Sequence, residues 1–221
     1  MMSAALLLLA DGRFPAGAHA HSGGAEAAVR AGRITGPASL EEFCRGRLHT
    51  TGLVAAALAA AACGGQDSAE LDAAADARTP SPALRATARK LGRQLMRAAR
   101  ATWPSPELDA LAAAFRGGLH QPVVLGLAAR AAGLAPADAA RAAAYDAVSG
   151  PSGAAVRLLS LDPFAATAVL ARLSAEVDAV ARRATEAAAL GDPDALPSAS
   201  APLLDIGAEA HAAWPVRLFA S

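Results

Sequence analysis

Two histidines near the beginning of the chain have a spacing that suits metal binding. His19 and His21 lie two residues apart, directly before the Ser22-Gly23-Gly24 segment, and their imidazoles could bind nickel or zinc. A metal site needs three or four ligands, and no neighbouring residue in the sequence completes this set. The amides of residues 22–24 could instead bind an anion at a helix N-terminus. The favoured interpretation is a capped turn with one partly buried histidine.

A basic stripe marks the predicted helix between residues 83 and 102, where arginine recurs at every fourth position. These arginines and the cations around them are Arg78, Arg85, Arg89, Lys90, Arg93, Arg97 and Arg100. Like charges at this spacing destabilise an isolated helix by roughly 0.2–0.5 kcal/mol per pair. We therefore expect compensating acids, either on neighbouring helices of the same chain or on the surface of an acidic partner.

One more arginine, Arg157, stands inside the apolar segment 155–159. Such a side chain extends its charge to solvent, pairs with an acid or contacts a partner, and the first two are the favoured interpretations. Three carboxylates, Asp162, Asp192 and Asp194, lie beside prolines or in a proline-rich segment, where they are typical of turns. The sequence therefore predicts no catalytic residue.

Several classes of function are excluded by what the chain lacks. Lys90 is the only lysine and Leu91 follows it, so there is no phosphate-binding Gly-Lys-Ser/Thr loop. No pair of glycines has the Gly-x-Gly spacing of a dinucleotide site. Cys44 and Cys63 lie in apolar surroundings and predict buried thiols, which fits a reducing cytoplasm. The 20 basic and 20 acidic residues balance, which argues against binding nucleic acid or an anionic membrane.

The composition predicts an all-α fold. Of the 221 residues 54% are hydrophobic, but only 4% are aromatic and only Ile34 and Ile206 are isoleucine. Alanine and leucine favour helices, whereas a sheet needs β-branched and aromatic residues. The apolar segment Leu53–Cys63 is too short to cross a bilayer, and the leucines at positions 6–9 follow no basic segment. Both segments are interpreted as buried helices of a cytoplasmic protein.

Turn residues divide the chain into about ten short and medium helices. Ser22 is predicted to cap a helix that ends near Arg30, and Ser39 with Glu42 predicts a capping box that opens another. Further helices are predicted at 67–78 and 83–102, from starts near 107, 122, 136 and 151, and from 163 to about 190. Residues 1–190 are predicted to form one helical domain, and residues 191–221 a mobile linker with an apolar docking tail.

Several windows, in order along the chain, resemble the UreF family of urease accessory proteins. The opening resembles the family's apolar helix and its glycine-rich turn, with Leu6-Leu7-Leu8-Leu9, Phe14-Pro15-Ala16-Gly17 and His21-Ser22-Gly23-Gly24-Ala25-Glu26. Two central windows, Leu91-Gly92-Arg93-Gln94-Leu95 and Ala155-Val156-Arg157-Leu158, are similar to the family's mid-chain helix and its Ala-Val-Arg-Leu segment. The end, His211 with Arg217-Leu218-Phe219 and Ser221, resembles the family's C-terminus.

The resemblance implies a cytoplasmic, non-enzymatic, dimeric chaperone for nickel insertion into urease. Members bridge UreD (UreH) and the GTPase UreG, help to regulate GTP hydrolysis and deliver nickel to apo-urease. Nickel and GTP then belong to partner proteins, so no cofactor is expected on this chain. The residues implied to bind partners are His211, Arg217, Leu218, Phe219, Ser221 and Arg157, and those implied to form the turn are Pro15, Gly17, Ser22, Gly24 and Glu26. The alternative is a helical metal- or ligand-binding protein that uses His19 and His21.

Overall fold

The computed structural model describes residues 4–17 and 20–219, and this part of the chain contains helices and no strand. In chain order the α-helices are α1 (Ala4–Ala10), α2 (Ala25–Arg30), α3 (Pro37–Arg47), α4 (Leu53–Cys63), α5 (Ser68–Ala77), α6 (Pro82–Thr102), α7 (Pro106–Ala114), α8 (Gln121–Ala131), α9 (Pro136–Leu159), α10 (Pro163–Ala188) and α11 (Pro202–Ala212). The predicted all-α class is confirmed. None of the described helices combines the length and apolar character needed to span a membrane.

Helix α4 forms the centre of the fold and packs against α8, α9 and α10. All its residues except Ala55 are buried, and most of them are alanine. Small side chains let helix backbones approach closely: a Cβ atom at Gly126 of α8 would lie 2.2 Å from the carbonyl oxygen of Ala59. The high alanine content is therefore used to bring helices together around α4.

Prolines mark several helix starts at the predicted places. Pro82, Pro136 and Pro163 occupy the first turns of α6, α9 and α10, where a missing amide costs little. Asp162 caps α10 by accepting a hydrogen bond from the amide of Phe164 (3.0 Å). Helices α9 and α10 then pack against each other along their length.

The helix start predicted near Pro151 is wrong, because Pro151 lies inside α9. A proline in a helix leaves the carbonyl four residues earlier without its amide donor. Here that carbonyl belongs to Ala147, and the Nε–H of Arg47 donates to it at 3.0 Å. The next carbonyl, that of Val148, accepts from the hydroxyl of Ser152 at 2.8 Å. Side chains thus replace the missing backbone bond and the helix continues.

Two predicted N-caps are also displaced. Gly24, with a φ of 89°, is the N-cap of α2, and the hydroxyl of Ser22 accepts instead from the amide of Glu26 (3.3 Å). Helix α3 begins at Pro37, so Ser39 lies within its first turn and accepts from the amide of Gly36 (3.2 Å). A single π-helical turn, Leu48–Gly52, then joins α3 to α4 without a break.

The first part of the predicted linker and tail, residues 191–202, contains a 3₁₀ turn, Pro193–Ala195, that contacts α5. The guanidinium of Arg78 donates to the carbonyl oxygens of Pro193 (2.9 Å), Leu196 (2.9 Å) and Pro197 (3.0 Å). Leu196 is buried in the core. One cation of the basic stripe therefore binds backbone carbonyls rather than an acid.

Candidate functional site

The C-terminal tail, residues 214–219, folds back onto α2 and is held by one buried carboxylate. Glu26 accepts hydrogen bonds from the backbone amides of Leu218 (2.7 Å) and Phe219 (3.0 Å). It also accepts one from Nε2 of His211 at the end of α11 (2.8 Å). Three donors from the end of the chain thus converge on a single side chain near its beginning.

Glu26 is suited to this role because it sits in the core yet keeps its charge. Burial alone raises the pKa of the Glu26 carboxyl, but the hydrogen bonds from His211, Leu218 and Phe219 outweigh it and hold the pKa below its usual range. An ionised carboxylate accepts stronger hydrogen bonds than a neutral group does. The tail is therefore tied to an anion through two of its backbone amides, and His211 of α11 donates to the same anion.

Two aromatic rings of the tail are each covered by the guanidinium of an arginine. The guanidinium of Arg157 lies 4.2 Å from the ring centroid of Phe219, and that of Arg30 lies 4.1 Å from the ring of Trp214. The Trp214 ring also contacts His211, with 4.8 Å between the centroids. Phe219 itself is buried. The tail is thus held by charge, by hydrogen bonds and by ring contacts.

The opposite side of the tail faces outward. Val216 and Leu218 are 81% and 65% exposed, and Arg217 between them is exposed too. We call residues 216–218 the outer edge of the tail. Large apolar side chains that are exposed beside an anchored segment of the chain are typical of a docking surface.

The residues implied to bind partners thus fall into two groups. Leu218 lies on the outer edge, and the exposed Arg217 beside it also lines the large cavity behind the tail. His211 and Phe219 are buried against Glu26 and Arg157 of the same chain. Ser221 lies outside the described residues. Arg157, whose guanidinium covers the Phe219 ring, is exposed.

The turn that the family resemblance implies leads into α2 and helps to place Glu26. Gly17 has a φ of 82°, and a Cβ there would overlap the side-chain carbonyl of Gln94. Pro15 is exposed, whereas Ser22 is fully buried next to Glu26. Gly24, also left-handed, leads directly into α2 and so places Glu26 in the first turn of that helix.

The histidine pair gains no support as a metal site. His19 lies outside the described residues, and His21 is buried. Burial, with a smaller contribution from the nearby charge of Lys90, lowers the pKa of His21 to about 4, so its imidazole is neutral at physiological pH. Throughout the described ranges 4–17 and 20–219, no three His, Cys, Asp or Glu side chains group in a way that could hold a metal.

A cavity of about 950 Å³ lies behind the tail, and its wall includes His21, Arg47, Asp146 and His211. Asp146 lies on the cavity wall and is exposed to the cavity. The surrounding protein atoms partly desolvate the Asp146 carboxyl and raise its pKa, and the charge of Arg47 opposes that effect only in part. Arg47 also bonds the carbonyl of Ala147, so its contribution includes holding α9 together.

The basic stripe of α6 divides into two halves. In the first half, Arg89 pairs with Asp72 (2.7 Å) and Asp76 (2.6 Å) of α5. Asp76 also accepts from Nε2 of His120 (2.7 Å), and Asp72 from the amide of the same residue (2.8 Å). Acids of the same chain therefore compensate this half, which is one of the two predicted possibilities. In the second half, from Lys90 onward, the ion pair found within the described residues is that of Arg100 with Asp109.

The sequence did not indicate the anchoring role of Glu26. The sequence places Glu26 in the implied turn, but its main partners are backbone amides about 190 residues away, and a backbone amide has no sequence signature. The role of Arg47 is hidden for a similar reason, since its partner is the carbonyl that Pro151 leaves free. For Glu26, the one available signal in the sequence is that it is a lone acid among the alanines of α2.

Relatives of this chain match over almost its full length. The family model for UreF matches residues 34–174. The urease accessory protein UreF of Mycolicibacterium vanbaalenii is 43% identical, with 99% of this chain and 98% of the relative covered. That of Mycobacterium marinum is 42% identical over 99% and 98%, and that of Mycobacterium tuberculosis 43% over 94% and 93%. On the strength of these matches and of its all-α fold, the chain belongs to the UreF family of urease accessory proteins.

Proposed function

We propose that this chain is a non-enzymatic scaffold in the nickel-dependent maturation of urease, bridging UreD (UreH) and the GTPase UreG. In this role it helps to regulate GTP hydrolysis and the delivery of nickel to apo-urease, as a homodimer in the cytoplasm. The names of its relatives support the accessory role. The chain has no Gly-Lys-Ser/Thr loop, so GTP binds to a partner, and nickel is cargo rather than a resident cofactor.

The observation that carries the proposal is the anchored tail. Glu26 fixes the backbone of Leu218 and Phe219, so the outer edge is presented in a defined conformation. Preordering a segment lowers the entropy cost of binding it. We assign the outer edge to UreD. We assign Arg157, which is exposed beside the Phe219 ring, to the contact with UreG.

The test is urease activation in cells that lack the chromosomal gene for this protein. The double variant Val216→Asn, Leu218→Gln removes the apolar outer edge but leaves the backbone amides bonded to Glu26. Both replacements are neutral, so neither adds a charge near that carboxylate. The matched control is Leu190→Gln. It changes a leucine that is 70% exposed and lies just after the C-terminal end of α10.

We expect the wild-type chain and the Leu190→Gln control to restore urease activity and the nickel content of urease. The double variant is expected to restore neither fully, while keeping its helical circular dichroism. Failure of the wild-type chain to restore activity would contradict the accessory role. Full restoration by the double variant would leave that role standing but refute the assignment of the outer edge.

A further inference from the structure

A second concave surface lies between α6, α7 and the 115–119 connection, with a volume of about 430 Å³. We call it the basic groove. Its wall carries five cationic side chains, and neither Asp nor Glu is among its lining residues. These cations are Lys90, Arg93, Arg97, Arg100 and Arg116. The floor between them is apolar: its accessible surface comes from the half-buried Leu111, Ala112 and Phe115, and the buried Met96, Leu119 and Val124 lie beneath.

The cations of the basic groove are poorly compensated, in contrast to the first half of the stripe. Arg100 pairs with Asp109 (2.6 Å), and Arg93 donates to the carbonyl oxygen of Gly117 (2.5 Å). For Lys90, Arg97 and Arg116, no ion pair within 4.0 Å is found in the part of the chain that the structure describes. Because the whole chain has zero net charge, this excess of positive charge is local.

We propose that the basic groove binds an acidic segment of a partner protein, whose apolar side chains reach the floor between the arginines. Guanidinium groups match the planar geometry of carboxylates and bind them bidentately. The floor is mainly aliphatic, so it suits leucine-like side chains rather than stacked bases. A single-strand binder needs aromatic platforms along a continuous basic track, and Phe115 is the one aromatic ring of this groove.

The inference does not depend on the proposed role in urease maturation, and its test uses the isolated full chain. The probe is a fluorescein-labelled amphipathic peptide with leucine at every third or fourth position and glutamate between. Two comparison probes are a glutamate peptide of equal charge without leucine and a single-stranded DNA of equal charge. Binding is followed by fluorescence anisotropy at several salt concentrations.

The variant is Arg97→Glu with Arg116→Glu, because neither side chain makes a hydrogen bond or ion pair found within the described residues, so the fold should persist. The matched control is Arg182→Glu with Arg183→Glu on the exposed side of α10, which changes the net charge equally. Helical circular dichroism and the thermal midpoint are measured for both.

We expect the amphipathic peptide to bind most tightly, with an affinity that falls as salt rises. The groove variant should weaken it roughly tenfold or more, and the α10 control should not. Equal losses in both variants would overturn the proposal, as would tighter binding of the DNA or no binding of the peptide. A third result would also overturn the proposal: the wild-type chain does not bind the peptide, and the groove variant loses self-association. The groove would then be assigned to a second copy of this chain.

Discussion

Removing the charge of Glu26 is expected to loosen the tail without unfolding the helices. In Glu26→Gln the side chain keeps its length and one carbonyl oxygen, which can still accept from the amide of Leu218. The second oxygen becomes an NH₂ group. That group faces the amide of Phe219, which is also a donor, so this buried bond is lost. The bond to His211 must reverse its direction or break.

The expected magnitude follows from those three contacts. Leaving one buried donor unsatisfied costs about 1–3 kcal/mol, and a hydrogen bond to a charged group is worth about 1.5–3 kcal/mol. The side chain of Glu26 is only 11% exposed, so water compensates little of this loss. We therefore expect tail docking to weaken by about 2 kcal/mol, which is roughly a 30-fold rise in the population of the open tail.

The assay is hydrogen exchange at the amides of Leu218 and Phe219, expressed as protection factors. We expect protection to fall roughly 30-fold in Glu26→Gln. The control is Glu42→Gln, an exposed carboxylate on α3 for which no hydrogen bond or ion pair is found among the described residues. Equal protection in the wild type and Glu26→Gln would refute the anchoring role. So would an equal loss in the control.

The pH dependence has a definite sign. The pKa of Glu26 in the folded chain lies below its ordinary value of 4.5, so docking is most stable above that value. The stabilisation is lost as the pH falls through the folded-state pKa. Protection of the wild-type tail should therefore decline below about pH 4.5, whereas the tail of Glu26→Gln should show a much weaker dependence.

Two further predictions concern the helices that support the site. Arg47→Met should lower the free energy of unfolding in urea by about 1–3 kcal/mol, because the carbonyl of Ala147 loses its donor. Adding Pro151→Ala should recover most of that loss by restoring the backbone amide, and a purely additive double variant would disprove the compensation. Gly126→Ala should cost about 1–3 kcal/mol, since its Cβ would meet a carbonyl of α4 at 2.2 Å. Gly46→Ala, with open space around its position, should instead stabilise by about 0.5–1 kcal/mol, and the reverse order of thermal midpoints would refute the packing argument.

The fold class and most helix starts could be predicted because they depend on local properties of the chain. Composition selects helices, and a proline such as Pro136 or Pro163 marks the first turn wherever it occurs. Pro151 could not be placed in the same way. Its tolerance inside α9 depends on Arg47, which is about 100 residues away in sequence and supplies the missing donor.

The candidate site was predictable only in outline. An apolar C-terminus predicts docking, but the sequence does not say that Phe219 turns inward while Leu218 turns outward. Glu26 fixes the backbone amides of both residues, and the Phe219 ring lies against Arg157. The spacing of the basic stripe is equally visible in the sequence, yet its division into a well-compensated half and a poorly compensated half depends on where Asp72 and Asp76 of α5 meet Arg89.

The central claim, that the outer edge of the tail joins this chain to its partners, is tested most directly by light scattering. UreD, UreG and this chain from one source are mixed and separated by size exclusion, with the mass of each peak measured. We expect one species containing all three for the wild type and for Leu190→Gln. We expect its loss on deleting residues 214–221 and in Val216→Asn, Leu218→Gln. A complete complex that survives both changes would contradict the account.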